Sequence, residues 1–375
     1  MSGAGLRESV DVTIVVPTFN ERENIAVLIG SFEAMLGRLR WEVIVVDDDS
    51  PDGTAQAVQR IAGLDPRVRC LRRTDRRGLA GACIEGMLAA QADIVLVIDA
   101  DLQHDVALIP ALHAAVAGGS ADVAVASRFM DGTAVKGLSK GRLMASRIAV
   151  AACRTLLQVS LSDPMSGYFA TRRTVIEDLA PDLSTDGFKL LLDIVATARG
   201  DLRLLEIPYT FQARAKGRSK LGTRVSLDFA ALFVAKLFGP RTSPRSVKLL
   251  SADALAITVQ MAALWLLIEG TPLSFGPAQL CAFLAAATMT CGLHNALAFS
   301  DPRVRGWKNL RKLLGFYAAR APSCLANIAA GAGLYGLSGR WWLAGFASAA
   351  VGAAWTHSGS KRIAATLGMC GSTSR

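Results

Sequence analysis

The chain has 375 residues, enough for two or three domains with sizeable cores, and carries a formal net charge of +10. The excess is confined to one end: residues 241–375 hold 13 Lys/Arg against 3 Asp/Glu, and residues 1–240 hold 28 of each. A neutral first part followed by a basic, apolar second part argues against a nucleic-acid binder and for basic loops beside a membrane. The seven cysteines, at 70, 83, 153, 281, 291, 324 and 370, show no metal-ligand spacing and read as small apolar fillers. The first ten residues, MSGAGLRESV, lack the apolar core of a signal peptide, which predicts an N-terminus on the cytosolic side.

Taken in chain order, the first 240 residues alternate short β-branched runs with helical patterns. Strands are expected at 12–16, 43–47, 94–98 and 123–126, and helices at 23–36, 54–62, 81–90 and 106–116. This alternation predicts an α/β domain with a parallel or mostly parallel sheet, whose ligands sit beyond the carboxyl ends of the strands. The polar clusters fall at those ends. Two amphipathic segments follow the strand pattern or interrupt it. Across 138–157, Lys140, Arg147 and Arg154 recur every seven residues beside an apolar surface, and across 225–238 Asp228 and Lys236 are the sole charges. Both suit helices lying in a membrane surface, with ordinary core-packed helices as the alternative.

After RTSPRS at 241–246 the composition changes. Four apolar stretches, 247–268, 277–299, 313–336 and 341–357, each approach the ~20 residues of a bilayer-spanning helix. Positive charge precedes the first stretch (Arg241, Arg245, Lys248), fills the loop 301–312 and recurs in the tail at Lys361, Arg362 and Arg375. Loop 269–276 has no Lys or Arg, and loop 337–340 has only Arg340. That alternation predicts a multi-pass protein of the cell (inner) membrane, with both termini and the first domain cytoplasmic. The expected domains are therefore 1–240 and 241–375.

Three acidic or strand-end clusters carry the chemistry. VIDADLQHD at 97–105 places Asp99, Asp101 and Gln103 at a strand tip, a set of hard oxygen ligands suited to Mg²⁺ or Mn²⁺ that still holds substrate phosphates. VVDDDSPDGT at 45–54 ends another strand; its carboxylates can accept from a base or ribose, or Asp52 and Thr54 can simply cap a helix. VVPTFNERENI at 15–25 puts Pro17, Phe19 and Glu21 at a strand-to-helix turn and by itself marks only a helix start. A basic set, Arg128, Arg142, Arg214 and Lys220, supplies the forks and point charges that phosphates need, the last two around Gly217 and Ser219 in FQARAKGRSKL at 211–221.

In this order, and with DPMSGYFATRR at 163–173 and GFKLLLDI at 187–194, these motifs resemble the dolichyl-phosphate mannosyltransferases, a branch of the family 2 glycosyltransferases. The resemblance spans roughly residues 10–235, and residues 246–360 resemble, more loosely, a GtrA-like four-helix membrane domain. It implies a GT-A (Rossmann-like) catalytic domain, two interfacial amphipathic helices and an all-α four-helix transmembrane domain. It further implies that Pro17, Phe19, Glu21, Val46 and Asp48 hold the nucleotide, and that Asp99, Ala100, Asp101 and Gln103 form the metal and diphosphate site. Arg128, Arg214 and Lys220 match groups around the donor phosphates and sugar. Arg142 and Ser146 match the site for the acceptor phosphate. Asp101, Arg128 and Arg214 are the candidate catalytic residues. One departure is Asp105-Val106, where the family has two prolines, a change at a helix start that leaves the ligand positions intact. The implied reaction is inverting transfer of mannose from GDP-mannose to a membrane polyprenyl or dolichyl phosphate. A UDP-sugar-dependent glucosyl- or N-acetylhexosaminyltransferase, or an inactive scaffold for lipid-linked glycans, stays open as an alternative.

Overall fold

The structure is a computed structural model, and it describes residues 10–74, 78–130, 140–185, 187–212, 223–239, 242–297 and 308–352. The chain divides into two compact units, Met1–Pro244 and Arg245–Arg375.

Unit one is built on seven strands: β1 (Val12–Thr18), β2 (Trp41–Asp47), β3 (Val68–Arg72), β4 (Ile94–Val97), β5 (Val123–Ser127), β6 (Phe169–Arg172) and β7 (Leu204–Pro208). They lie in the order β3-β2-β1-β4-β6-β5-β7. Only β6 runs antiparallel, pairing β4 and β5 on either side, so the sheet is mostly parallel as expected. The central strands read as unbroken apolar runs because both faces are covered. Alternate residues serve opposite cores: Val12, Ile14 and Val16 of β1 pack into one cluster with helices α1 (Arg22–Met35), α2 (Thr54–Ala62) and α4 (Ile109–Ala117). Val15, with Val46 of β2 and Val95 and Val97 of β4, packs into the other. That second cluster takes in α3 (Leu79–Leu88), α6 (Arg173–Leu179), α7 (Leu190–Ala198) and α8 (Thr223–Phe238). Helix α3 sits hard on the sheet, since a Cβ at Gly86 would lie 2.4 Å from Val15 Cγ1 and 2.9 Å from Val46 Cγ2.

Three strands escape the sequence pattern. β3 is an edge strand carrying Arg69 and Arg72, charges of the kind with which edges resist further pairing. β7 is the opposite edge, and β6 has four residues. The helix expected at 106–116 begins instead as a 3-10 turn, Val106–Leu108, with Asp105 capping it by accepting from Ala107 N at 3.0 Å. Asp105, at the departure from the family pattern, thus does the work of starting the helix. The first segment read as interfacial is helix α5 (Lys140–Leu156), with Met144, Ile148 and Leu156 exposed. The second is α8, with Leu227, Leu237 and Phe238 exposed.

Unit two is helical: α9 (Pro244–Gly270), α10 (Phe275–Leu297), α11 (Lys308–Ser338) and α12 (Trp341–Gly352). Among the described residues, α9 is the one helix both long and apolar enough to cross a membrane. The helices approach closely at glycine: a Cβ at Gly345 would meet Leu264 Cδ2 at 2.6 Å. Such small-residue contacts suit apolar bundles that lack a hydrophobic drive between helices. Polar side chains from all four helices meet inside. Gln279 Nε2 donates to Asn327 Oδ1 at 2.7 Å and to Ser348 Oγ at 2.5 Å, Asn327 Nδ2 donates to the Ser348 carbonyl at 2.9 Å, and Gln260 Nε2 reaches Asn327 Oδ1 at 3.4 Å. A cavity of about 30 Å³ beside them is lined by Asp253, Gln260, Thr290, Ser323 and Asn327.

Candidate active site

Strands β1, β2, β4 and β5 all point their carboxyl ends to one edge of the sheet, and β6 begins there. Pro17 and Val46 are register partners at the ends of β1 and β2. Both side chains are buried and form floor, and the Val46 carbonyl accepts from Thr18 Oγ1 at 3.4 Å. The DDDSPDGT segment builds the wall beside them. Asp47, fully buried, accepts from Thr18 Oγ1 at 3.0 Å, Ser50 Oγ at 2.5 Å and Ser50 N at 2.9 Å. Ser50, Asp52 and Thr54 in turn accept from the backbone N–H groups of Asn20, Arg22 and Glu21 at 2.9, 3.1 and 3.1 Å, fixing the loop that carries Phe19 and Glu21. The segment is therefore the frame of the neighbouring loop; at α2 itself the cap position is Gly53, without a side-chain bond, and Asp52 Oδ1 accepts from Thr54 N at 3.0 Å.

Asp48 is held from two sides, accepting from Arg73 NH1 at 2.6 Å and from Gly78 N at 2.7 Å. Burial nonetheless raises its carboxyl above the ordinary range, and these two donors offset only part of that. Each oxygen keeps a second lone-pair direction for a ligand. Arg73, itself buried, also faces Glu85 at 3.2 Å and lies against Gly81, where a Cβ would meet its NH2 at 2.8 Å.

The DADLQH turn follows β4. Leu102 takes a left-handed backbone with φ 60°, an uncommon state for a non-glycine residue, and Asp101 Oδ1 accepts from Gln103 N at 3.2 Å across it. Asp99 stands beside Gly167, where a Cβ would come within 2.9 Å of its Oδ2; only glycine leaves that carboxylate its room. His104 is boxed by Tyr168, Tyr209 and Phe211. Its Nδ1 lies 2.8 Å from Tyr209 Oη and its Nε2 3.5 Å from Asp99 Oδ2. One tautomer serves both contacts, with the Tyr209 hydroxyl donating to Nδ1 and Nε2–H directed at Asp99. Burial works to raise Asp99, but the His104 contact and the positive charges of Lys189 and Arg128 outweigh it and hold the carboxyl below its usual range. Gln103 Nε2 donates to the Gln212 carbonyl at 2.9 Å and Gln212 N to the Gln103 carbonyl at 3.1 Å. These bonds pin the chain two residues before Arg214 to the acidic turn.

Arg128, after β5, makes a two-pronged ion pair with Asp163: Nε to Oδ2 at 2.6 Å and NH2 to Oδ1 at 2.9 Å. Asp163 is fully buried, while 19% of the Arg128 side chain stays open to the cleft and stacks 5.3 Å from the Phe211 ring. Glu206 of β7 supports the pair from below by accepting from Ser162 N at 2.9 Å and Asp163 N at 3.2 Å. Lys189, the residue before α7, shares this field. Burial, and then Arg128, lower its pKa, against the pull of Asp163 and Asp99. Asp163, Lys189, His104 and Gly167 were missed as site residues, although three motifs noted for the resemblance contain them.

Arg142 and Ser146 lie on α5, with side chains outside the described residues, as do Arg214 and Lys220 entirely. Among the described residues no three His, Cys, Asp or Glu side chains converge as a metal cage. Two carboxylates and an amide fit a cation that takes its other ligands from phosphate and water.

An acidic turn and an arginine fork at the carboxyl edge of a mostly parallel sheet suit a diphosphate-bearing ligand, and the family match makes the chain a glycosyltransferase. Residues 13–180 match the family described as Glycosyl transferase family 2, and residues 250–365 match GtrA/DPMS, transmembrane domain. A dolichol-phosphate mannosyltransferase of Pyrococcus furiosus is 36% identical over 265 residues, covering 69% of this chain and 72% of its own. The polyprenol monophosphomannose synthase of Mycolicibacterium smegmatis is 34% identical over 226 residues, covering 58% and 83%. Among solved structures, a glucosyl-3-phosphoglycerate synthase from Mycobacterium tuberculosis matches with TM-score 0.48 and 21% identity, covering 61% of this chain and 80% of its own. The chain belongs to the dolichol-phosphate mannosyltransferase family, and it is a membrane protein.

The ion pair at the base of the site gives a stability test. Arg128→Met leaves the Asp163 carboxylate buried without its cation and is expected to cost about 3–5 kcal/mol. Arg128→Met with Asp163→Asn should recover most of that in urea unfolding, although it removes the same fork from the cleft.

Proposed function

We propose that this chain transfers mannose from GDP-mannose to the phosphate of a membrane polyprenyl or dolichyl lipid, inverting the anomeric carbon. The observation that carries the reading is the meeting of Asp99, Asp101 and Gln103 with Arg128 and Lys189 at one sheet edge, an acidic set and a basic set within one cleft. An acceptor phosphate oxygen attacks C1 of the sugar, the bond from C1 to the donor diphosphate breaks, and the nucleoside diphosphate leaves. A phosphomonoester has its second pKa near ~6, so the nucleophile is already largely ionised and needs no dedicated base.

The task left to the protein is electrostatic. Two anions must lie side by side while negative charge grows on the leaving group. Arg128, pre-oriented by Asp163, and Lys189 supply fixed positive charge; Arg214 and Lys220 extend it around the donor, and Arg142 and Ser146 hold the acceptor phosphate. Asp99, Asp101 and Gln103 would hold Mg²⁺ or Mn²⁺, whose charge offsets that of the diphosphate when bound. Pro17, Phe19, Glu21, Val46, Asp48 and Ala100 shape the nucleotide side. Unit two anchors the enzyme as a multi-pass domain of the cell (inner) membrane, with α5 and α8 at the surface and the catalytic unit cytoplasmic, where nucleotide-sugars are made.

Purified protein offered radiolabelled GDP-mannose, UDP-glucose and UDP-N-acetylglucosamine with polyprenyl phosphate should label lipid from the first alone. Asp101→Ala and excess EDTA should each lower that turnover by about 10²-fold or more. Labelling from a UDP-sugar instead, or full turnover in EDTA, would sink the donor or the metal assignment respectively.

A pH prediction follows from Lys189. Its pKa is depressed by burial, so its charge is lost as pH rises through a value below the ordinary lysine range. Turnover should therefore fall on the alkaline side, and Lys189→Arg, charged throughout, should remove that limb. A limb unchanged in Lys189→Arg would assign it to another group. Orientation is tested separately: a reporter fused after Arg375 should behave as cytoplasmic, and a signal from the far side would overturn the charge argument.

A further inference from the structure

Helix α8 is attached to the catalytic unit by more than apolar packing. Its inner face, with Leu232 buried and Phe229 and Phe233 partly so, joins the core on the α7 side of the sheet, while Leu227, Leu237 and Phe238 stay exposed. Within that contact lies an ion pair cut off from solvent. Lys236 Nζ of α8 stands 2.5 Å from Asp193 Oδ1 of α7, the two side chains being 1% and 2% exposed. Lys236 also donates to Thr197 Oγ1 at 2.8 Å, and Thr197 Oγ1 lies 3.3 Å from Asp193 Oδ1.

The other oxygen of Asp193 leads to the active site. Oδ2 accepts from Ser184 N at 2.7 Å, at the start of the loop that ends in Lys189. The same loop is pinned on its far side to α3: Gly81 N donates to the Thr185 carbonyl and Ala80 N to the Gly187 carbonyl, both at 3.2 Å. Gly78, just before α3, donates to Asp48. One carboxylate thus joins the last turns of α8 to the loop whose end places Lys189 in the field of Arg128, Asp163 and Asp99. A buried ion pair adds little net stability over an apolar pair of similar size, so its value here lies in fixing one arrangement.

We infer that Asp193 and Lys236 are positioning residues of the transferase: the seat of α8 on α7 sets residues 183–185 and 187–189, and through them the place of the Lys189 ammonium. The inference rests on the proposed function for its activity readout and deepens it, since α8 is the helix assigned there to the membrane surface. Unseating α8 releases Lys236, leaves Asp193 charged and unpaired in the core, and loosens the loop at Ser184. The active site is then complete only while α8 keeps its seat.

The test uses the full chain. Asp193→Asn with Lys236→Met removes both charges at nearly constant volume, which avoids the unfolding that Lys236→Met alone invites. This double variant should lose turnover about tenfold with little change in KM for the lipid, and Lys236→Arg should retain most activity. Added to Lys189→Ala, the double variant should cost nothing further, because its effect runs through Lys189. Wild-type turnover in the double variant, or the same tenfold loss repeated in the Lys189→Ala background, would overturn the inference. Hydrogen exchange supplies a readout without substrate. In the wild-type protein the Ser184 amide should exchange as slowly as the amides of α7, and the double variant should speed exchange at Ser184 and Thr185 at least tenfold. Fast exchange at Ser184 in the wild type, or unchanged exchange in the double variant, refutes the link even if no donor is turned over.

Discussion

A carboxylate cannot stay ionised inside a protein without a partner, and the sheet edge of this enzyme is organised around that requirement. Asp163 has no solvent and takes both prongs of Arg128. Asp48 takes Arg73, Asp47 takes two hydroxyls and an N–H, and Asp193 takes Lys236. Each neutralisation fixes a loop as well as a charge. Beside these pairs Asp99 shares one field with Arg128 and Lys189, and Asp101 follows it on the same turn. A site that must bring two phosphate-bearing molecules together needs this surplus of oriented charge, and needs it held still before they arrive.

The fold was legible where its physics is local. The central strands show as apolar runs because helices cover both faces, and the acidic clusters mark strand ends because those ends are where polar residues begin. The strands that were not foreseen lack that signal: β3 has its apolar run broken by Arg69 and Arg72 at an edge, and β6 is a four-residue antiparallel insertion between two parallel strands. Residues of the candidate site divide in the same way. Asp99, Asp101 and Gln103 form one continuous motif, whereas Asp163 and Lys189 gain their meaning from Arg128, 35 and 61 positions earlier in the chain. Only the strand order brings them together. His104 stood inside a motif already singled out, yet its contact with Tyr209, 105 residues on, could not be read from spacing.

The strained backbone at Leu102, together with Asn20 at φ 60° and Asp49 at φ 55°, falls in the turns that leave β4, β1 and β2. Regular strands cannot aim three successive polar side chains into one cleft, because alternate residues point to opposite faces. The left-handed residues break that alternation. Strain here is local to the turns and is balanced by the close-packed sheet behind them, where Gly86 lets α3 rest against Val15 and Val46.

The amides buried in the helical unit bear on how the protein is made. Gln260 and Gln279 belong to the first two helices of that unit, and their partners Asn327 and Ser348 to the next two. Until the later helices are made, the first two carry polar groups that an apolar interior cannot satisfy. Their native partners, Asn327 and then Ser348, come 48 and 69 residues after Gln279. The interior of this unit is thus complete only once its last helix has been made, and a chain cut short before Ser348 keeps Gln279 without one of its two side-chain acceptors.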